Sequence, residues 1–307
     1  MGAADAVPGV SGGTIAFITG IYEELIHTIR QFGPSAWPAW RRGGLGGLAR
    51  HLNLRFLIPL LAGIAVSLVS VAHLVVWLME AQPLVLDGFF FGLVAASALL
   101  IGQQASERRW WHLFALIAGL VLAYLLPSLM PLVAGLGSPD LVLVAGGAIA
   151  ISALLLPGVS GSFLLLTMGL YGTVMQAIRG LELATLGLFG AGCALGLFFF
   201  SRLLSWLLRR HHGATLQLLL GFIVGSLPVL WPWRQLVRYQ LGSEGQVIPL
   251  GYRYLSPDGY SQLTGESAQL LAVVAAVIAG GALVWLVARA GRPAALANGD
   301  NKESSNV

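Results

Sequence analysis

Apolar residues gather into seven long runs, at 56–79, 88–101, 111–127, 140–156, 184–208, 214–231 and 268–288. Several hold the ~20 residues a helix needs to cross a ~30 Å hydrocarbon core, and others are shorter. The stretches 8–30 and 157–179 are apolar as well, but each opens on Pro-Gly-Val-Ser-Gly. Proline removes a backbone donor and the glycine after it frees the chain, so the helix over 140–156 is expected to stop near Leu156. A new helix is expected to start near Ser160 or Gly161. From Gly291 to Val307 the chain is polar and Asn/Ser-rich, which predicts a disordered cytoplasmic tail.

The two interrupted stretches are copies of one pattern. Laid side by side without gaps, 8–30 and 157–179 share the five-residue opening. They then coincide at Gly20 and Gly169, Tyr22 and Tyr171, Ile29 and Ile178, and Arg30 and Arg179. Further along, Ala62-Gly63 matches Ala191-Gly192, Trp77-Leu78 matches Trp206-Leu207, and Gly92 and Ser97 match Gly221 and Ser226. After a longer loop in the second half, Ile117-Ala118-Gly119 matches Ile278-Ala279-Gly280. Matches kept in order over the whole chain indicate a duplication.

Composition sets the class. The chain is 57% hydrophobic and 10% charged, with a mean hydropathy of +0.81. That leaves too few charges to cover a soluble surface, so the expected class is membrane. The net charge of +4 does not imply a nucleic-acid partner, because the basic residues occupy loops between apolar runs. Arg30, Arg41, Arg42, Arg50 and Arg55 share a loop without an acid, which places 30–55 in the cytoplasm. On the same rule Glu80 and Asp87 fall outside, Arg108 and Arg109 inside, Arg209 to His212 inside, 232–267 outside, and Arg289 and Arg292 inside.

Segment 140–180 therefore leaves and returns on one side of the membrane. Two full crossings would have the same parity, and the Pro-Gly break favours a re-entrant hairpin. The expected fold is all-α and polytopic transmembrane, with two inverted repeats, each a re-entrant helical hairpin plus three transmembrane helices. Repeat one covers 1–139 and repeat two 140–290. Only seven residues precede Pro8, so hairpin one largely lacks its first arm, and the true start is expected upstream of Met1.

Each break leaves backbone N–H groups without helical partners, at the positive end of a helix dipole. Ser11 and Ser160 are suited to capping them, and Thr14 and Ser162 add hydroxyls. With Gly9, Gly12, Gly13, Gly158 and Gly161 they form two candidate anion-binding tips. One Pro-Gly in a membrane helix is ordinarily a kink; two at matching positions argue for a site. Beyond the first tip, Ile21, Tyr22, Leu25, Ile26 and Ile29 share a helical face opposite Glu23, Glu24, His27 and Arg30. That pattern predicts an amphipathic helix lying in the interface, with Tyr22 at its level. Leu170, Tyr171, Val174 and Ile178, with Gln176 and Arg179, repeat it in the second half.

Arg30 and Arg179 are candidate headgroup contacts, although Arg30 alone is most simply a positive-inside residue, whereas Arg179 falls on the external side, where that rule gives it no reason to be. Asp5, close to the break, could relay a proton or bond the hairpin backbone. Glu23 is a second relay candidate, against the reading of a solvated charge. Arg202, about a turn from a helix end, is expected to snorkel. Cys193 is the sole cysteine, and the glycines of 43–47 precede no lysine and form no P-loop. No catalytic residue, metal or cofactor is expected.

GAADAVPGVSGGTIAFITGIYEELI together with LLPGVSGSFLLLTMGLY resembles the bacterial PopT-type undecaprenyl phosphate translocase family, over essentially the whole chain. The resemblance implies a flippase of the bacterial cytoplasmic (inner) membrane. It would return the polyprenyl phosphate carrier of cell-wall synthesis from the outer to the inner leaflet, and a homo-oligomer is compatible with it. The motif positions carried over are Asp5, Pro8 to Thr14, Gly20, Tyr22, Glu23, Pro157 to Ser162, Gly169 and Tyr171. The short leader before Pro8 departs from the family. Two other functions stay open, an integral-membrane lipid phosphatase and a carrier of a small anion. A phosphatase needs a nucleophile with a positioned acid/base, and no His lies near either break.

Overall fold

The computed structural model describes residues 1–2, 11–104, 110, 112–135, 137–241 and 247–290. The expectations for Asp5, Gly9 and the tail from Gly291 lie outside those residues. The first motif leads into two short helices, α1 (Gly12–Ile18) and α2 (Tyr22–Arg30). Next come α3 (Ala36–His51), α4 (Leu54–Ala81), α5 (Pro83–Gln104) and α6 (His112–Ala134). The second half runs through α7 (Pro139–Leu155), α8 (Gly161–Thr167), α9 (Leu170–Gly180), α10 (Leu183–Arg210) and α11 (His212–Ser226). A β-hairpin, β1 (Arg234–Leu241) and β2 (Val247–Tyr254), and the short α12 (Pro257–Thr264) precede α13 (Leu270–Ala290).

Local chemistry sets the breaks where the sequence predicts them. The Ser138 hydroxyl caps α7 by accepting the Leu141 N–H, and Pro139 sits in the first turn, where no donor is needed. The helix stops at Leu156, which is extended at ψ 124° because a residue before proline resists the helical region. Gly158 then adopts φ +82°, a conformation that favours glycine. Gly20 and Gly169, at φ +73° and +72°, end α1 and α8 in the same way. At Gly169 the chain bends by 106° into α9.

Three helix pairs form the frame, α5 with α13, α6 with α11 and α7 with α10. Glycines let them approach backbone to backbone. A Cβ on Gly92 would run into the Val277 carbonyl, and one on Gly221, its sequence counterpart, into the Leu116 carbonyl. Val277 and Leu116 are themselves counterparts, each preceding a matched isoleucine. Gly280 abuts the Phe89 carbonyl, and its counterpart Gly119 abuts that of Leu218. Gly192 and Gly196 of α10 press on the carbonyls of Val144 and Ala148 in α7. In each pair the contacts advance in the same direction along both helices, so the partners run parallel. α7 and α10 are nearly consecutive, so the chain between them must return to the side from which α7 started.

The molecule is a multi-pass, predominantly helical membrane protein. Among the described residues five helices are long and apolar enough to cross a membrane, or up to seven if two bent pairs each count as a span. One bent pair is α8 with α9, and the other is α3 with the first part of α4, at 46°. The region 232–267, expected as plain loop, contains the antiparallel β-hairpin, in which Arg234 pairs with Tyr254 and Leu241 with Val247. An ion pair ties it to α5: the Arg234 guanidinium lies 3.0 Å from the Asp87 carboxylate.

Candidate functional site

The last carbonyls of a helix have no partner within it. Those of α7 are met from the first half of the chain. The Tyr22 hydroxyl donates to the Leu155 carbonyl at 2.6 Å, and the Ser11 hydroxyl donates to the Leu156 carbonyl at 3.2 Å. Just past the break, the Gly158 N–H donates to Thr14 Oγ1 at 2.9 Å. Residues of the first motif thus complete the broken helix of the second. Ser11, Thr14 and Tyr22 are all buried. Gly12 and Gly13 are buried with them, and Gly13 is glycine for a reason of space. A Cβ there would lie 3.1 Å from the Leu154 carbonyl oxygen.

The second tip is open. Ser160 Oγ accepts the Phe163 N–H at 3.4 Å and lies 3.1 Å from Ser162 Oγ. Beside it is a small cavity bordered by Pro127, Gly158, Ser160, Phe163 and Ser226. Gly158 and Gly161 pack tightly here, since a Cβ on Gly158 would lie 2.6 Å from the Phe222 carbonyl oxygen and one on Gly161 would run into the Ala150 carbonyl. At both tips the serine satisfies a nearby donor: Ser11 Oγ accepts the Gly13 N–H, as Ser160 Oγ accepts that of Phe163.

Three expectations need correction, the last of them at Arg202 below. Tyr22 is not an interface anchor, because its hydroxyl turns inward onto Leu155. The stripe on α2 does not face lipid either. Tyr22, Leu25 and Ile26 join Ala16, Leu155, Leu204, Leu208 and Leu219 in a buried cluster. The periodicity is real, but a helical stripe specifies an apolar neighbour without saying whether that neighbour is lipid or protein. In α9 Val174 is buried, while Tyr171 and Ile178 are exposed.

The charged candidates lie away from the breaks. Arg30 Nη1 donates to Ser205 Oγ at 3.4 Å, and Glu23 Oε1 lies 3.7 Å from His212 Nδ1. α2 therefore lies alongside the last turns of α10. Arg179 is exposed in the last turn of α9. Arg202 does not snorkel outward. Its Nη1 donates to the Phe198 carbonyl at 2.8 Å and its Nη2 to the Phe32 carbonyl at 3.4 Å, with the guanidinium carbon 3.5 Å from the Phe198 ring centre. The Phe198–Arg202 spacing of one helical turn was the signal for this contact. Among the described residues no three His, Cys, Asp or Glu side chains converge as a metal set.

A family model described as undecaprenyl phosphate translocase-like matches residues 1–248. The chain is 44% identical over 284 residues to a polyprenyl-phosphate transporter of Vibrio cholerae, covering 92% of each chain. It is 33% identical over 249 residues to a polyprenyl-phosphate transporter of Staphylococcus aureus, covering 76% of this chain and 83% of that one. No solved structure matches it.

Proposed function

The chain belongs to the undecaprenyl phosphate translocase-like family, and on that premise we propose that it is a flippase for undecaprenyl phosphate. It returns this lipid from the outer to the inner leaflet of the bacterial cytoplasmic membrane for cell-wall synthesis. The observation that carries the reading is the contact between the two broken helices, made by Tyr22, Ser11 and Thr14 on Leu155, Leu156 and Gly158. Irregular backbone inside a membrane protein is tolerated where it is buried in protein or borders a polar path. A charged headgroup needs such a path.

We infer that residues 1–139 and 140–290 are inverted repeats. Three observations support this. α7 and α10 run parallel, so the second hairpin returns to its own side. The second span of one half pairs with the third span of the other, in both combinations, as a two-fold axis in the membrane plane requires. The glycines matched in sequence, Gly92 with Gly221 and Gly119 with Gly280, make matched contacts.

On this reading the tips alternate. Gly158, Ser160, Gly161 and Ser162 hold the open side for the phosphate, while Ser11, Gly12, Gly13 and Thr14 form the closed side. The two exchange roles as the headgroup passes. Arg30 and Arg179 receive it at opposite surfaces, because a guanidinium can hold a phosphate through two bonds. Asp5 and Glu23 relay the coupling proton. No bond to the substrate is made or broken.

The test is a leaflet-resolved assay of undecaprenyl phosphate in proteoliposomes, with and without a pH gradient. The expected result is protein-dependent movement that the gradient accelerates, and that Ser160→Ala with Ser162→Ala slows. Release of inorganic phosphate without leaflet exchange would replace the flippase by a phosphatase.

A further inference from the structure

Arg202 sits in the apolar sequence Leu-Phe-Phe-Phe-Ser-Arg-Leu-Leu-Ser-Trp, two turns before the end of α10. Arg202 and Arg30 are both half-buried, and a guanidinium makes its strongest hydrogen bonds to a charged oxygen. Among the described residues Arg202 has no ion pair, and neither has Arg30. Their partners are neutral oxygens: the Phe198 and Phe32 carbonyls for Arg202, and the Ser205 hydroxyl for Arg30. Arg209 and Arg210, past the apolar part of α10, are explained by the positive-inside rule. Arg202, inside it, is not.

The two guanidiniums line one seam. Ser205 and Arg202 are three residues apart on α10, so they share a helix face, about 5–6 Å apart at Cβ. Phe32, which holds Arg202, is two residues beyond Arg30. Gly33 lets the Arg202 guanidinium lie against the backbone there, since a Cβ would meet its Nη2. Two cations thus face each other across one end of the seam, while its acid, Glu23, lies at the other end against His212. Beside it, Phe199, Leu203 and Trp206 form an exposed apolar strip on α10.

We propose that Arg30 and Arg202 are a two-arginine clamp for a phosphate monoester at the cytoplasmic surface, with the polyprenyl chain lying along Phe199, Leu203 and Trp206. The proposal rests on the transport reading for the identity of the lipid. The phosphate supplies the negative charge that the two arginines lack among their described partners, and the pinned Arg202 is a specificity residue for an anionic headgroup. Inorganic phosphate offers the same oxygens without the chain, and the apolar strip is what discriminates between the two.

Purified full-length protein in detergent is titrated with a polyprenyl monophosphate and, separately, with inorganic phosphate. Binding is read by native mass spectrometry and by tryptophan fluorescence. Arg30→Gln and Arg202→Gln are each expected to weaken lipid binding at least tenfold. The double variant is expected to add little, since both act on one phosphate. Arg202→Lys, which keeps the charge, should recover part of the loss, and Arg210→Gln should stay within twofold of wild type. Among the described residues Arg30 hydrogen-bonds only the Ser205 hydroxyl, so its variant is expected to unfold at the wild-type temperature. Wild-type affinity in Arg30→Gln, which keeps its fold, would overturn the clamp. Equal affinity for inorganic phosphate would overturn the lipid assignment. If wild-type proteoliposomes move no polyprenyl phosphate, the transport reading itself fails. Normal transport with unaltered binding in both variants removes the clamp alone.

Discussion

The hydroxyl of Tyr22 and the carbonyl of Leu155 are 133 residues apart in sequence and 2.6 Å apart in space. Tyr22 is 2% exposed, whereas its counterpart Tyr171 is 39% exposed. Two equivalent side chains therefore have opposite environments.

Removing the Tyr22 hydroxyl leaves a buried carbonyl unpaired. Tyr22→Phe is expected to destabilise the protein by about 1–3 kcal/mol, as for other buried groups that lose a partner. Tyr171→Phe should be near neutral. Thermal unfolding in detergent measures both, and equal melting temperatures would show that the hydrogen bond contributes nothing.

Gly92→Ala and Gly221→Ala each push a methyl into a carbonyl of the paired helix. Each should lower stability by about 1–3 kcal/mol or more, the usual range for overpacking. Gly63→Ala is the control, because no atom lies within 4 Å of its Cβ position. The readout is the folded fraction after size-exclusion chromatography at increasing temperature.

In a Cys193→Ser background, single cysteines at His27 and Ile178 should react with an impermeant reagent from opposite faces of the membrane. Both positions are exposed, whereas the neighbouring Thr28 and Ala177 are buried and would not report. Labelling of both from one face would exclude inverted hairpins.

The Asp87–Arg234 pair is mostly enclosed, with side chains 20% and 19% exposed. Breaking one side leaves the other charge uncompensated. Asp87→Asn and Arg234→Gln are each expected to destabilise by about 2–3 kcal/mol, below the range for fully buried pairs. Proteolysis within 232–267 should become faster in both. If cleavage rates match wild type, the β-hairpin is held by other contacts.

Much of this arrangement is legible in the sequence. Pro157 and the matched glycines fix where α7 ends and where helices touch, because proline and glycine act through local backbone geometry. The β-hairpin is not legible, since Arg234–Leu241 alternates only weakly and its stability comes from β2 and from Asp87. The role of Tyr22 is hidden for another reason. Its position in the motif can be read, but its partner belongs to the other half of the chain. The same holds for Arg202: its distance from a helix end can be read, and the Phe32 carbonyl that holds it cannot.

The glycine contacts have a mechanical consequence. Where a carbonyl of one helix occupies the place of a side chain on the other, the two cannot slide past each other, and each pair behaves as a stiff beam. Single residues join successive helices, Gln82 between α4 and α5 and His211 between α10 and α11. These are the knees of the structure. Spin labels placed on both members of one beam, such as α6 and α11, should keep a fixed separation during turnover. Labels on α10 and α11, across the His211 knee, should give a separation that changes, so that lipid is moved by levers turning at a few hinges while the helix cores stay rigid.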